Sequence, residues 1–187
     1  PPIKSTEHYR SLVKGCTMCS GAARDPRFGL GQLDPTKRTH SIVLGDNTEA
    51  EPMYRLYGAL GYKYKESPFD THGLLELIES FGSVFAVNSI MCPGKYGGRL
   101  DRFEGAKCVR SHLLNVCDFA RPSYIFCFGD RPWRLLFDTA GVSHQYTAGI
   151  TDTDGIMFAH IYAGGIAVRL PSISEFRWRK SQLDIVQ

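Results

Sequence analysis

The stretch Val84-Phe85-Ala86-Val87-Asn88-Ser89-Ile90-Met91-Cys92-Pro93 decides how this chain reads. Its first four residues are apolar and stand between Gly82-Ser83 and Asn88, which predicts a short buried strand. Cys92-Pro93 then opens a loop that reaches to about Gly105. Two more runs of this kind occur: Ser41-Ile42-Val43-Leu44 stops at Gly45-Asp46-Asn47-Thr48-Glu49, and Tyr124–Phe128 stops at Gly129. Helical patterns surround them, over residues 5–14, about 51–60, 73–81, 106–120 and 132–140. The third carries Leu74, Leu75, Leu77 and Ile78; the fourth sets Val109, Leu113, Val116 and Cys117 on one face. Near the end, Ile156–Ile161 and Ile166–Val168 flank Gly164-Gly165 and suggest a pair of strands, with a hairpin as one arrangement.

Alternating strands and helices predict an α/β fold: a mostly parallel central sheet with helices on both faces, a three-layer α/β/α sandwich. Such sheets bind ligands beyond the carboxyl ends of their strands. Three ends carry unusual turns: Gly45-Asp46-Asn47, Asn88, and Leu170-Pro171-Ser172. All three are expected to open on one edge of the sheet. At 187 residues the whole chain, 1–187, is expected to be one domain.

Composition excludes several classes. No apolar run approaches the length of a membrane span, and no low-complexity segment or internal repeat is present. The opening Pro1-Pro2-Ile3-Lys4 has no signal-peptide pattern. Six cysteines in that setting point to a reducing cytosol and to metal ligation rather than disulfides. A cytoplasmic monomer with no membrane partner is the expectation. Net charge is only +3, which by itself says little about nucleic acid. Its distribution says more. Lys95, Arg99 and Arg102 cluster beside Cys92, and Arg177-Trp178-Arg179-Lys180 encloses an aromatic. Such patches bind phosphates, although a solvated helix face gives the same pattern.

Four cysteines are spaced as a ligand set. Cys16-Thr17-Met18-Cys19 is a tight pair; Cys92 and Cys108 are a wide one, with fifteen residues between them. Four thiolates so divided can close a shell around zinc or an iron–sulphur cluster. Cys117 and Cys127 are left over in apolar stretches and read as buried free thiols.

This layout resembles the iron–sulphur (family 4) uracil-DNA glycosylases over roughly residues 12–175. Those proteins have an N-terminal Cys-x-x-Cys, then a hydrophobic strand running into an Asn, a Cys and a Pro/Gly/Arg loop, with a fourth Cys about one helix later. The resemblance implies a [4Fe–4S] cluster on Cys16, Cys19, Cys92 and Cys108. It also implies a uracil-DNA-glycosylase-like fold and a DNA partner whose target base is flipped out of the stack. By the same resemblance, Asp46 and Asn47 position the hydrolytic water, in a Gly-x-x-Pro turn whose Pro is here Thr48. The other reading of the pair is an Asx turn or helix cap. Phe69, in Ser67-Pro68-Phe69, would stack on the base, and Asn88 would read its edge; a core aromatic and a turn Asn are the alternatives. Arg99, Arg169, Ser172 and Arg177 are implied DNA contacts.

A second position, besides Thr48, departs from the pattern. The family's His-Pro-Ser is here Leu170-Pro171-Ser172, so the histidine that stabilises the departing base is a leucine. This favours excision of a modified pyrimidine, hydroxymethylated or glycosylated as in phage DNA, with a role in antiviral defence. Base-excision repair of uracil and a non-catalytic DNA-binding iron–sulphur module are the alternatives.

Overall fold

The computed structural model describes residues 2–20, 41–45, 83–92, 102–139, 151–153, 156–161 and 165–170. Helix α1 (Thr6–Lys14) starts where the Ser5 side chain accepts from the His8 N–H and stops at Gly15, whose N–H returns to Ser11 and Val13. Strands β1 (Ser41–Gly45) and β2 (Val84–Asn88) follow. Next come α2 (Arg102–Cys108), a π-helical stretch Val109–Leu113, and α3 (Leu114–Ala120). The junction residues Cys108, Leu113 and Leu114 all keep right-handed helical dihedrals, so the three pieces run on as one rod. Arg121 ends it at φ 45°, giving its N–H to the Cys117 carbonyl, and Pro122 bars any continuation. The rest is β3 (Tyr124–Phe128), α4 (Asp130–Thr139), β4 (Thr151–Thr153), β5 (Ile156–Ile161) and β6 (Gly165–Leu170).

These six strands form one sheet in the order β2-β1-β3-β6-β5-β4. β2, β1, β3 and β6 are mutually parallel. β5 runs antiparallel to β6, and β4 antiparallel to β5. The fold is α/β on a mixed sheet, with an antiparallel edge added to a parallel body. The strand pair expected from Ile156 onward is an antiparallel hairpin. β4 was not legible: Thr151-Asp152-Thr153 has no apolar alternation, and only pairing with β5 makes it a strand.

Side chains alternate across a sheet, and both faces are buried. Ile42, Leu44, Phe85, Val87, Ile125, Cys127 and Ala167 share one core with Tyr9 and Val13 of α1, Val109, Leu113 and Val116 of the long rod, and Trp133, Leu136 and Phe137 of α4. Val43, Ala86, Phe126, Phe128, Val168 and Leu170 alternate onto the other face and are equally buried. A strand covered on both sides has no polar face to show, hence the unbroken apolar runs. Each such side chain contributes about 1.5–3 kcal/mol by leaving water.

The rod begins at Arg102, four residues before the helix expected at 106–120. Gly105 reads as loop punctuation, yet it sits buried inside α2. A Cβ there would lie 2.9 Å from Cδ1 of Ile90 and 3.2 Å from Cδ2 of Leu135. Glycine is present so that helix, turn and α4 can close on one another. The helices expected at 51–60 and 73–81, and the loop expected at 20–39, lie outside the described residues.

Candidate functional site

The first candidate is a cysteine corner on the helix-covered face of the sheet. α1 delivers the Cys-x-x-Cys turn: the Cys16 N–H bonds to the Val13 carbonyl, 3.1 Å away, as the helix unwinds. The turn then lies along one stripe of the rod. The Cys19 thiol approaches the Glu104 carbonyl at 3.8 Å, Ser20 Oγ bonds to Glu104 Oε1 at 3.3 Å, and Ser111 Oγ bonds to Met18 Sδ at 3.4 Å. Glu104, Cys108 and Ser111 are spaced i, i+4, i+7, so the stripe carries Cys108 in its middle. From the sheet side, the Met91 N–H donates to Cys108 Sγ at 3.3 Å. Tyr9, fully buried, donates its hydroxyl to Met91 Sδ at 3.1 Å and sets its ring edge-on to Phe85.

Cys108 is buried and pushed up to about 12, mainly by desolvation. Its amide hydrogen bond opposes that rise, while Cys19, Cys92 and Cys16 add to it by charge repulsion. All four predicted ligands are therefore within electrostatic reach of one another's corner, three half-buried at the rim and one in the core. Among the described residues, no three His, Cys, Asp or Glu side chains close round a point as a single metal ion requires. In number and chemistry the donor set fits a four-thiolate cluster, and a bound metal would remove the penalty that keeps Cys108 protonated. All six cysteines are free thiols; of the two left over, Cys127 is buried as expected, whereas Cys117 is half-buried. Burial raises both, Cys117 to about 12.

The second candidate is a row across the carboxyl edge of the sheet. Gly45 is in register with Asn88, and Phe128 with Leu170. The Ser89 N–H closes on the Gly45 carbonyl and the Gly129 N–H on the Leu170 carbonyl, each at 2.8 Å. Strand order reverses at β1: the chain steps from β1 to β2 on one side, then returns past β1 to β3 on the other. Such a switch point leaves a crevice outside the strand ends. By alternation Asn88 shares the face of Ala86, Val43 and Leu170, opposite the cysteine corner. At about 4.8 Å per strand, Asn88 and Leu170 are about 14 Å apart.

Asn88 is buried, 5% exposed, and its Oδ1 has no hydrogen-bond partner among the described residues. Leu170 is buried too and offers nothing polar. Arg169, on the other parity, donates to Asp130 Oδ1 at 2.9 Å, and Asp130 is also paired with Arg134. Asp46, Asn47, Phe69, Arg99, Ser172 and Arg177 lie outside the described residues. Asp46 follows Gly45 directly, so the chain leaves β1 beside Asn88.

Three buried polar side chains besides Asn88 escaped the sequence reading. Ser41 Oγ, Ser89 Oγ and His112 Nε2 have no partners among the described residues. Burial lowers the pKa of His112, which keeps it neutral. It stands in the π-helical stretch just past Cys108, and π-turns often accompany functional sites. A lone histidine on an apolar helix carries no signal of this.

No helix among the described residues is long and apolar enough to cross a membrane. Comparison with known protein families and with curated proteins finds no match for this chain.

Proposed function

We propose that this chain is a DNA glycosylase that flips a pyrimidine and hydrolyses its N-glycosidic bond, with a modified pyrimidine as the preferred base. The observation that carries the reading is Asn88: a buried carboxamide whose oxygen has no partner among the described residues, ending a strand beside a topological switch point. A buried acceptor left unpaired costs roughly 1–3 kcal/mol, a cost that a ligand offering an N–H removes. A carboxamide both donates and accepts, which suits the edge of a pyrimidine.

In this reading Asp46 and Asn47, leading out of β1, hold the attacking water. Water oxygen bonds to C1′ as the C1′–N bond breaks, and the base departs with the electron pair. The carboxylate of Asp46 stabilises the positive charge that develops on the sugar. Phe69 stacks on the base, and Arg99, Ser172 and Arg177 meet phosphates. Arg169 meets them only by sharing its guanidinium with Asp130. Cys16, Cys19, Cys92 and Cys108 hold a [4Fe–4S] cluster whose role is to pin α1 to the Met91 turn, since hydrolysis transfers no electrons. The fold completes as a single three-layer domain acting as a cytoplasmic monomer. The right-handed crossover rule favours the third layer, because the step from β1 to β2 runs opposite to the step from β2 to β3.

Leu170 supports the choice of base. Without a donor at that strand end, a poor leaving group such as uracil loses roughly 2.7–4 kcal/mol of transition-state stabilisation. A larger modified pyrimidine, which gives an enlarged pocket more surface to hold, is then preferred, and excision from phage DNA gives the reaction a defensive use. The same buried leucine favours the second reading, a DNA-binding module without catalysis.

The test is abasic-site formation on oligonucleotides carrying uracil, 5-hydroxymethylcytosine or its glycosylated form, with iron content measured in parallel. Release of a modified base ahead of uracil supports the proposal. DNA binding without release from any substrate supports the module, and robust uracil release indicates a repair enzyme. Zinc in place of iron would refute the cluster.

A further inference from the structure

We propose that the solvent face of the rod's first three turns, through Phe103 and Lys107 of α2 and Arg110 of the π-helical stretch, is a track for the DNA strand that flanks the target nucleotide. This deepens the glycosylase reading and rests on its DNA partner. Phe103 is 80% exposed, a large apolar ring held in water on an otherwise packed helix. Lys107 and Arg110 are exposed one and two turns further on, and the spacing i, i+4, i+7 sets all three along one stripe. That stripe lies beside the one formed by Glu104, Cys108 and Ser111, which the Cys-x-x-Cys turn covers. The bound turn adds Met18, 42% exposed, along its margin.

The position of this face follows from topology. The rod connects the carboxyl end of β2 to the amino end of β3, so it runs back along the sheet with its first turn at the carboxyl edge. Phe103 is in that first turn. The Met91 N–H to Cys108 bond anchors the same end of the rod three residues beyond Asn88. An aromatic and two cations thus leave the edge where Asn88 is buried and descend the helix.

Charge selects the occupant. Lys107 and Arg110 are two cations against one acid in the first turn, Glu104, which also accepts from Ser20; Asp118 stands at the far end of the rod. An exposed ring followed by cations at one-turn spacing matches a polyanion with stackable bases: the ring takes a base face, the cations take phosphates. An apolar protein partner would gain nothing from the two charges.

The experiment measures binding of an unmodified fluorescent 30-mer, single-stranded and duplex, by the cluster-loaded protein and its variants across a salt series. Phe103→Ala should weaken binding roughly 5- to 150-fold, the loss of one base–aromatic stack. Lys107→Gln with Arg110→Gln should reduce the log–log salt slope on duplex by about 1.8. All three residues are exposed, so iron content and thermal midpoint should stay at wild-type values. Affinities within twofold and an unchanged salt slope would overturn the proposal. So would a wild-type dimer in sedimentation that Phe103→Ala dissolves, since the face would then belong to a second copy. Base release by the wild type is scored separately. Release with unaltered variant binding overturns the track and keeps the glycosylase; track-dependent binding without release does the reverse.

Discussion

The cysteine corner and the strand-end row grow from the two faces of the same strand, β2, and they treat polar atoms in opposite ways. In the corner the groups have partners: Met91 N–H reaches Cys108, Tyr9 reaches Met91, and Ser20 reaches Glu104. In the row, Asn88 ends its strand with a buried carbonyl oxygen that nothing described satisfies, and Ser89 follows with a bare hydroxyl. The corner joins α1, the Met91 turn and the rod, as a structural centre does. The row holds a buried polar atom with no partner among the described residues, and the proposed function gives it a ligand.

Removing a sulphur ligand should have the largest effect. Cys92→Ser should lose iron and about 4 kcal/mol of stability, the contribution of a ligand held at about a thousand times its dissociation constant. For a chain of this size that is a fall of about 8–16 °C in thermal midpoint. Full iron content and an unchanged midpoint would end the assignment of the corner as a metal centre.

Asn88→Ala should do the reverse. Base release should drop about 10²–10³-fold, the cost of losing one well-placed polar group in a dry site. The midpoint should hold or rise, because a buried unsatisfied oxygen disappears. A strong loss of stability with unaltered release would move Asn88 to the structural side of the comparison.

Gly105→Ala probes how tightly the corner closes. Overpacking against Ile90 and Leu135 should cost about 1–3 kcal/mol, read from urea midpoints. A neutral effect would show that Ile90 can turn aside.

His112 gives the smallest effect, and it is the exception within the corner. Its folded pKa is depressed by burial, so the unfolded chain binds a proton first as pH falls. Stability should be flat above about pH 6.5 and decline below it, by at most about 1.4 kcal/mol per pH unit, until the folded histidine also protonates. The difference between wild type and His112→Gln at pH 7.5 and pH 5.5 isolates this limb. Equal acid slopes would show that the ring finds a partner when charged.

Part of this molecule was legible in one dimension because its signals are local. Val84–Val87 and Tyr124–Phe128 are too short and too continuously apolar to be anything but buried strands bounded by turn residues. Gly164-Gly165 marks a reversal between two apolar runs, and the helical pattern over residues 5–14 is α1. The spacing of Cys16, Cys19, Cys92 and Cys108 singled out four thiols, three of which lie within electrostatic reach of the fourth; a shared metal is the proposal built on them. Tertiary structure alone decided the rest. β4 is a strand only because β5 lies beside it, and Gly105 is helical only because Ile90 and Leu135 leave no room for a Cβ. Asn88 is a buried orphan only because parallel register sets it opposite Gly45. Phe103 reads as one more apolar residue, and only the course of the rod shows it standing in water. Propensity and spacing act between neighbours in the chain. Register, close approach and exposure arise between segments far apart in it, and they exist only once the chain has folded.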